Sequence, residues 1–328
     1  MVSTSCITEG VPAKKRPTGS PANLSAPGSN AAASSKAEER RLKRVAAAEA
    51  ARRELAARQR RGRLKVVGAI IGAVVLVVAV VVAVGVLHKD KGAKTTAASD
   101  TVITGVTSVP TATFDEVGTG SIKALPSAIT ADPLTADGKP RVLYVGAEYC
   151  PFCAAERWSL TAALARFGSF TGLGQTASTP SDVYPNTPTL SFHGASYTSD
   201  YLSFSGYEIQ DTNGKTLDTL PAEDQSLLQK YDAPPYVGTS DTAGSIPFID
   251  LFGSYVSQGA GYSPDLLKGM SHAEVAQAMQ DPSTDVAKNV DAMANVFSAM
   301  ICQATNGKPD DVCSSAGVQA ATAKLPTP

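Results

Sequence analysis

Apolar residues along the chain fall into three patterns. Residues 66–87, VVGAIIGAVVLVVAVVVAVGVL, run for 22 positions without a charge. A run of that length can cross a bilayer as a helix. RVLYVG (141–146) and SIPFIDLFGSYV (245–256) are short, β-rich and bounded by Pro or Gly. They predict strands buried on both faces, the second folding back on itself at Gly253. The third pattern is helical. In AAERWSLTAALARFG (154–168), Leu160, Leu164 and Phe167 fall at i, i+4 and i+7, with Trp158 and Ala162 on an adjoining stripe. Val286, Val290, Met293, Phe297 and Met300 line one face of a helix over 284–305, and shorter helices are expected near 221–231, 263–269 and 271–280.

The polar stretches divide the rest. Residues 1–35 hold almost no large apolar side chains and are expected to be disordered. Residues 36–65 combine strong helix formers with twelve Lys/Arg and four Glu, which predicts a basic juxtamembrane helix drawn to anionic lipid. Residues 88–101 read as a polar tether, and 102–140 as short β-prone pieces between Pro and Gly. In 169–219, TLSFHGASY and YLSFSGYEI look like paired strands and DTNGKT like a turn. Strand, helix, strand, helix, strand pair and helices in that order describe an α/β sandwich with a mixed sheet over 102–328.

Charge orients the chain. The formal net charge of −1 divides into +10 over residues 1–65 and −11 over 88–328. Twelve cations just before the apolar run outweigh Lys89, Lys91 and Lys94 after it, so the N-terminus is expected in the cytoplasm and the large domain outside. An acidic outer domain argues against nucleic acid as its partner. High Ala and Val content fits a bacterial plasma membrane. Of five cysteines, Cys6 falls on the reducing side, whereas Cys150, Cys153, Cys302 and Cys313 fall outside, where thiols are normally oxidised.

Cys150-Pro151-Phe152-Cys153 stands where a buried strand meets a helix. Unpaired backbone N–H groups at a helix start favour a thiolate there, although Glu148 works against it. Pro151 suits the first helical turn, and the spacing brings both sulfurs within disulfide reach. Cys150 would be exposed and attack substrate, and Cys153, one turn in, would be shielded and resolve the mixed disulfide.

These residues resemble the thioredoxin superfamily. AEYC with a second Cys three positions on looks like the start of that fold's active-site helix. GSIPFIDLFGSYV, whose Pro247 lies 94 residues after Cys153, resembles the strand that opens with a cis-proline facing the active-site pair. The two motifs cover roughly 140–260, and the resemblance implies a thioredoxin-like fold with an inserted strand pair and extra C-terminal helices. It also implies a cis Ile246-Pro247 bond, with Ile246, Pro247 and Phe152 meeting the substrate. The wording CPFCAAERWSL further resembles an uncharacterised thioredoxin-like family known as a domain of unknown function, DUF929. Two departures stand out. Tyr144 occupies the position, six before Cys150, where thioredoxins keep a buried acid, and the dipeptide is Pro-Phe, closer to glutaredoxins and periplasmic oxidases.

The expected activity is thiol–disulfide exchange on envelope or secreted proteins, with oxidation or isomerisation favoured over reduction. It needs no bound cofactor but does need a membrane redox partner. Two readings stand beside it. One is an envelope scaffold whose CxxC is only a structural bridge. The other is a copper-handling protein using Cys150 and Cys153 with one or two of His88, His193 and His272. Cys302 and Cys313 flank QATNGKPDDV and are expected to form a structural disulfide, a second redox couple being the alternative. The aromatics Phe192, Tyr197, Tyr201, Phe204 and Tyr207 read as core before they read as a substrate surface. No serine triad, phosphate loop or dinucleotide fingerprint is present in the sequence.

Overall fold

The computed structural model of the chain describes residues 92–122 and 124–327. The segments read as a disordered tail (1–35), a basic helix (36–65) and a membrane span (66–87) lie outside the described residues. Among the described residues no helix is long and apolar enough to cross a membrane.

A mixed sheet forms the centre. Strand β4 (Lys139–Gly146) is its middle, and from Arg141 to Gly146 it runs parallel to β9 (Ser203–Glu208). On its other side β10 (Phe248–Leu251) is antiparallel, with Phe248 opposite Val145. β10 folds back into β11 (Tyr255–Gln258) through Phe252 and Gly253, both at positive φ. Short strand β2 (Ser127–Ala128) pairs with β11, and β3 (Thr135–Ala136) pairs with the first residues of β4. Both faces of β4 are covered, which is why RVLYVG reads as a continuous apolar run. Val142 and Tyr144 pack into the main core with Trp158 and Leu160, and Leu143 and Val145 pack on the opposite face with Leu134 and Leu220.

Helices make the layers. The first two are α1 (Asp100–Thr107) and α2 (Thr111–Val117). After β4 comes α3 (Pro151–Ala165), buried from Cys153 to Leu164, and later α4 (Ala222–Tyr231). A 3-10 turn (Pro264–Leu267) leads to α5 (His272–Ala278) and to α6 (Asp285–Ala304), which packs along α3. Thr284 caps α6 by accepting from the Ala287 N–H at 3.1 Å. Two short helices follow, α7 (Asp310–Cys313) and α8 (Ala316–Thr322).

Three expectations are corrected. Residues 92–101 are part of the folded domain, not a tether: the Ala98 N–H donates to the Leu173 carbonyl at 2.9 Å, and β1 (Thr96–Ala97) pairs with β6 (Gly174–Ala177). Residues 100–107 and 111–117 are helices, although their Thr, Val and Ile content looks like strand. Ser99 caps α1, and burial of Val102 and Val106, one turn apart, outweighs the weak propensity. The two aromatic strands are not partners. β7 (Pro188–Ser191) pairs with β6, β8 (Ser196–Thr198) pairs with β5 (Ser169–Thr171), and β9 joins the central sheet. The insertion is therefore two small sheets. Alternation marks a strand but does not choose its neighbour.

Candidate functional site

Helix α3 starts at the end of β4, and Cys150 is its N-cap. The Cys150 backbone is extended (φ −79°, ψ 122°), and its sulfur accepts from the Cys153 N–H at 3.3 Å while Pro151 fills the first helical position. Cys150 and Cys153 are free thiols in this structure. Ile246-Pro247 is a cis peptide. The register that sets Phe248 opposite Val145 brings Pro247 level with Gly146, and the Cys150 thiol reaches the Ile246 carbonyl oxygen at 3.5 Å. Cys150, Cys153, Ile246 and Pro247 thus share one corner. Phe152 faces outward from the first turn, 38 % exposed, with Tyr184 edge-on at 5.7 Å.

Cys150 is less open than its position at a helix end implies. It is 6 % exposed, and Cys153 is fully buried. The Ile246 carbonyl covers one side, and the neighbouring loop is tied down where the Thr179 N–H donates to the Tyr149 carbonyl at 2.9 Å. Burial pushes the Cys153 thiol well above its ordinary range, the hydrogen bond and charge of Cys150 add to this, and Arg157 pulls the other way.

Beneath the thiols lies a polar group that the sequence reading did not anticipate. Arg157 donates from Nε to Glu208 Oε1 at 2.7 Å and from Nη2 to Oε2 at 2.6 Å, and both side chains are fully buried. The same guanidinium donates to the Ala147 carbonyl at 2.7 Å and to Thr189 Oγ1 at 3.1 Å, so it joins α3 to β7, to β9 and to the residue that follows β4. One signal was available in the sequence. Arg157 is four residues after Cys153 and three before Leu160, which sets a charge on the apolar face of α3. Glu148 is also buried, accepting from Thr95 Oγ1 at 2.8 Å and Ser191 Oγ at 2.7 Å.

The remaining candidates lie elsewhere. Cys302 in α6 and Cys313 in α7 are joined by a disulfide, Cα to Cα 5.6 Å. His193 Nδ1 is 2.7 Å from Asp218 Oδ1, beside a cleft of about 350 Å³ also lined by Lys94, Thr95 and Glu148. His272 Nε2 is 2.6 Å from the Thr176 carbonyl oxygen. Among the described residues no group of three or more His, Cys, Asp or Glu side chains is arranged to hold a metal ion. Phe192, Tyr197 and Phe204 pack with Phe170 into one aromatic cluster, centroids 4.9–6.0 Å apart, with Tyr201 half-buried beside the core. Tyr207 packs on the opposite face with Leu143 and Val145.

The family model described as Domain of unknown function (DUF929) matches residues 126–303. No curated protein and no solved structure matches the chain.

Proposed function

The chain belongs to the DUF929 family, whose description carries no activity, and from the site itself we propose that this is a membrane-tethered thiol–disulfide oxidoreductase with a thioredoxin-like outer domain. The contact between the Cys150 thiol and the Ile246 carbonyl carries the reading, because it joins the CxxC helix start to the Ile-Pro segment. The strand arrangement supports it too. A mixed sheet centred on β4, with the CxxC helix starting after β4 and Ile246-Pro247 leading into β10, fits the mixed sheet and the two motifs that the resemblance implies. The span at 66–87 would hold this domain outside the cytoplasm.

The chemistry is reversible exchange. In one direction the Cys150 thiolate attacks a substrate disulfide, forming a Cys150–substrate bond and releasing one substrate thiolate. Cys153 then loses its proton to that thiolate and attacks Cys150 Sγ. The protein disulfide forms, the second substrate thiolate leaves, and two electrons have passed to the substrate. Oxidation of substrate dithiols is the reverse, the protein pair being returned to the disulfide by exchange with a disulfide-bearing membrane partner. The Pro-Phe dipeptide and the absence of an acid at 144 favour that oxidising or isomerising direction.

Equilibration of the full chain, in detergent, with glutathione redox buffers tests the reading. A Cys150–Cys153 potential of about −120 to −180 mV is expected for an oxidant or isomerase. A value near about −270 mV marks a reductant and reverses the direction. A bridge that glutathione does not open, with Cys150→Ser leaving substrate disulfides unchanged, makes the pair structural and the domain a scaffold. Tight Cu(I) binding by the reduced pair would favour metal handling in place of exchange.

A further inference from the structure

A buried hydroxyl without a partner stands behind the two thiols. Tyr144 is fully buried, and its hydroxyl makes no hydrogen bond. Such a group costs stability that phenylalanine would not, so its presence calls for a use. Tyr144 faces the α3 layer. Its ring leans along β4 toward Cys150: a side chain at Gly146 would meet the ring Cζ at 2.6 Å and collide with the hydroxyl. The hydroxyl therefore lies over Gly146, at the end of the strand from which the chain passes to Cys150.

Helix α3 closes over the same place. The Arg157 guanidinium is 5.9 Å from the Tyr144 ring centroid and holds the Ala147 carbonyl. Cys153 is one turn before Arg157 on α3, and it lies near enough to Tyr144 for a Cys153 charge to raise the tyrosine hydroxyl further, as a Cys150 charge would. Arg157 is matched in charge by Glu208 and does not offer a free cation to a new anion. The unengaged donor at this place is Tyr144. Burial holds its hydroxyl well above the ordinary tyrosine range, so it stays protonated and able to donate.

We propose that Tyr144 is a positioning residue for the second step of exchange, its hydroxyl donating a hydrogen bond to the Cys153 sulfur as that thiol ionises. The inference rests on the exchange reading above. Cys153 passes its proton to the thiolate released from the substrate, its thiolate attacks Cys150 Sγ, and the Cys150–substrate bond breaks. Tyr144 keeps its own proton throughout and lowers the energy of the buried thiolate. Hydrogen bonds to charged groups are stronger than those between neutral partners. With both thiols neutral the hydroxyl has no partner in bonding geometry, and the bond forms only as the Cys153 thiolate draws the hydroxyl to it.

The test compares the full chain with Tyr144→Phe. Each reduced protein is mixed rapidly with oxidised glutathione, quenched with acid, and followed by mass spectrometry for the mixed disulfide across pH 5–10. Tyr144→Phe should form the mixed disulfide at the unchanged rate and resolve it about tenfold more slowly at pH 7, with the pH midpoint of resolution moved upward. Its thermal midpoint should be equal or higher, since only an unpartnered hydroxyl is removed. Unchanged resolution and midpoint overturn the inference alone. Equal slowing of both steps with a lower thermal midpoint also overturns it, because that is the mark of damaged packing. If the unsubstituted chain forms no mixed disulfide, the exchange reading falls and this inference with it.

Discussion

The Cys150 thiol and the Ile246 carbonyl oxygen, 96 residues apart in sequence, lie 3.5 Å from each other. The contact follows from strand register. β10 pairs with β4 so that the residue before Phe248 comes level with the last residue of β4, and the chain on both sides then turns into the same corner. One carbonyl thus both partners and covers the first sulfur of the CxxC pair.

That cover predicts an order of labelling. In the reduced full chain, iodoacetamide should modify Cys150 slowly and Cys153 only after unfolding, since their exposures are 6 % and 0 %. Peptide mass spectrometry with and without urea reads the order directly. Rapid native labelling of Cys153 would show that the corner is open.

The ion pair under the site predicts a large and asymmetric stability effect. Arg157→Met leaves Glu208 buried without its partner and should cost about 3–5 kcal/mol in urea unfolding, as should Glu208→Gln to a lesser degree. Replacing both residues by apolar side chains of similar volume should recover much of that loss. Losses that simply add in the double variant would mean the two side chains act independently.

Much of this arrangement could be read from residue patterns. The strand RVLYVG, the helix after Cys153, the pair around Gly253 and the face Val286–Val290–Met293–Phe297–Met300 are long or strongly periodic, and each reappears within a few residues of its expected bounds. Pairing was less legible. Nothing local in TLSFHGASY says that Pro188–Ser191 pairs with the strand before it, or that Ser203–Glu208 lies parallel to β4. The helices at 100–117 were hidden by β-branched residues whose burial settles the matter only in the folded molecule. At the site, both cysteines and Ile246-Pro247 were visible as motifs. The partnership of Arg157 with Glu208 was not, because it spans 51 positions and depends on the parallel register of β9.

Glu156 predicts a loss of stability with rising pH. Its Oε2 accepts from the Gly261 N–H at 3.0 Å, while Oε1 has no partner. Burial pushes its carboxyl from 4.5 up to about 8, with the Gly261 N–H opposing. Between those values the folded chain holds a proton that the unfolded chain has lost. The stabilisation is complete below pH 4.5 and is lost as pH rises through about 8, at most about 5 kcal/mol across the window. Asp232, pushed by burial to about 7, slopes the same way. Urea unfolding at pH 5 and pH 8.5 should therefore show a smaller pH difference in Glu156→Gln than in the unsubstituted chain, and an identical difference would refute the assignment.

The Cys302–Cys313 disulfide closes a short loop, its cysteines 11 positions apart. Replacing both with alanine should lower stability by about 3 kcal/mol through the freedom gained by the unfolded chain. Rates of exchange at Cys150 should stay the same, since the bridge joins α6 to α7. If mixed-disulfide formation with glutathione collapses while the fold persists, the second pair belongs to the redox path.

Arg157 bonds α3 to β9, to β7 and to Ala147 just past β4, which ties down the helix bearing both sulfurs. Under the exchange reading, a substrate would reach Cys150 by displacing what lies over it, the segments around Tyr149–Thr179 and Ile246. If the pair exchanges disulfides as proposed, a fixed nucleophile behind a movable cover would impose a ceiling on turnover. Disulfides of very different intrinsic reactivity would converge on one limiting rate, set by how often the cover lifts, and the cover rather than the thiol would choose which of them is served.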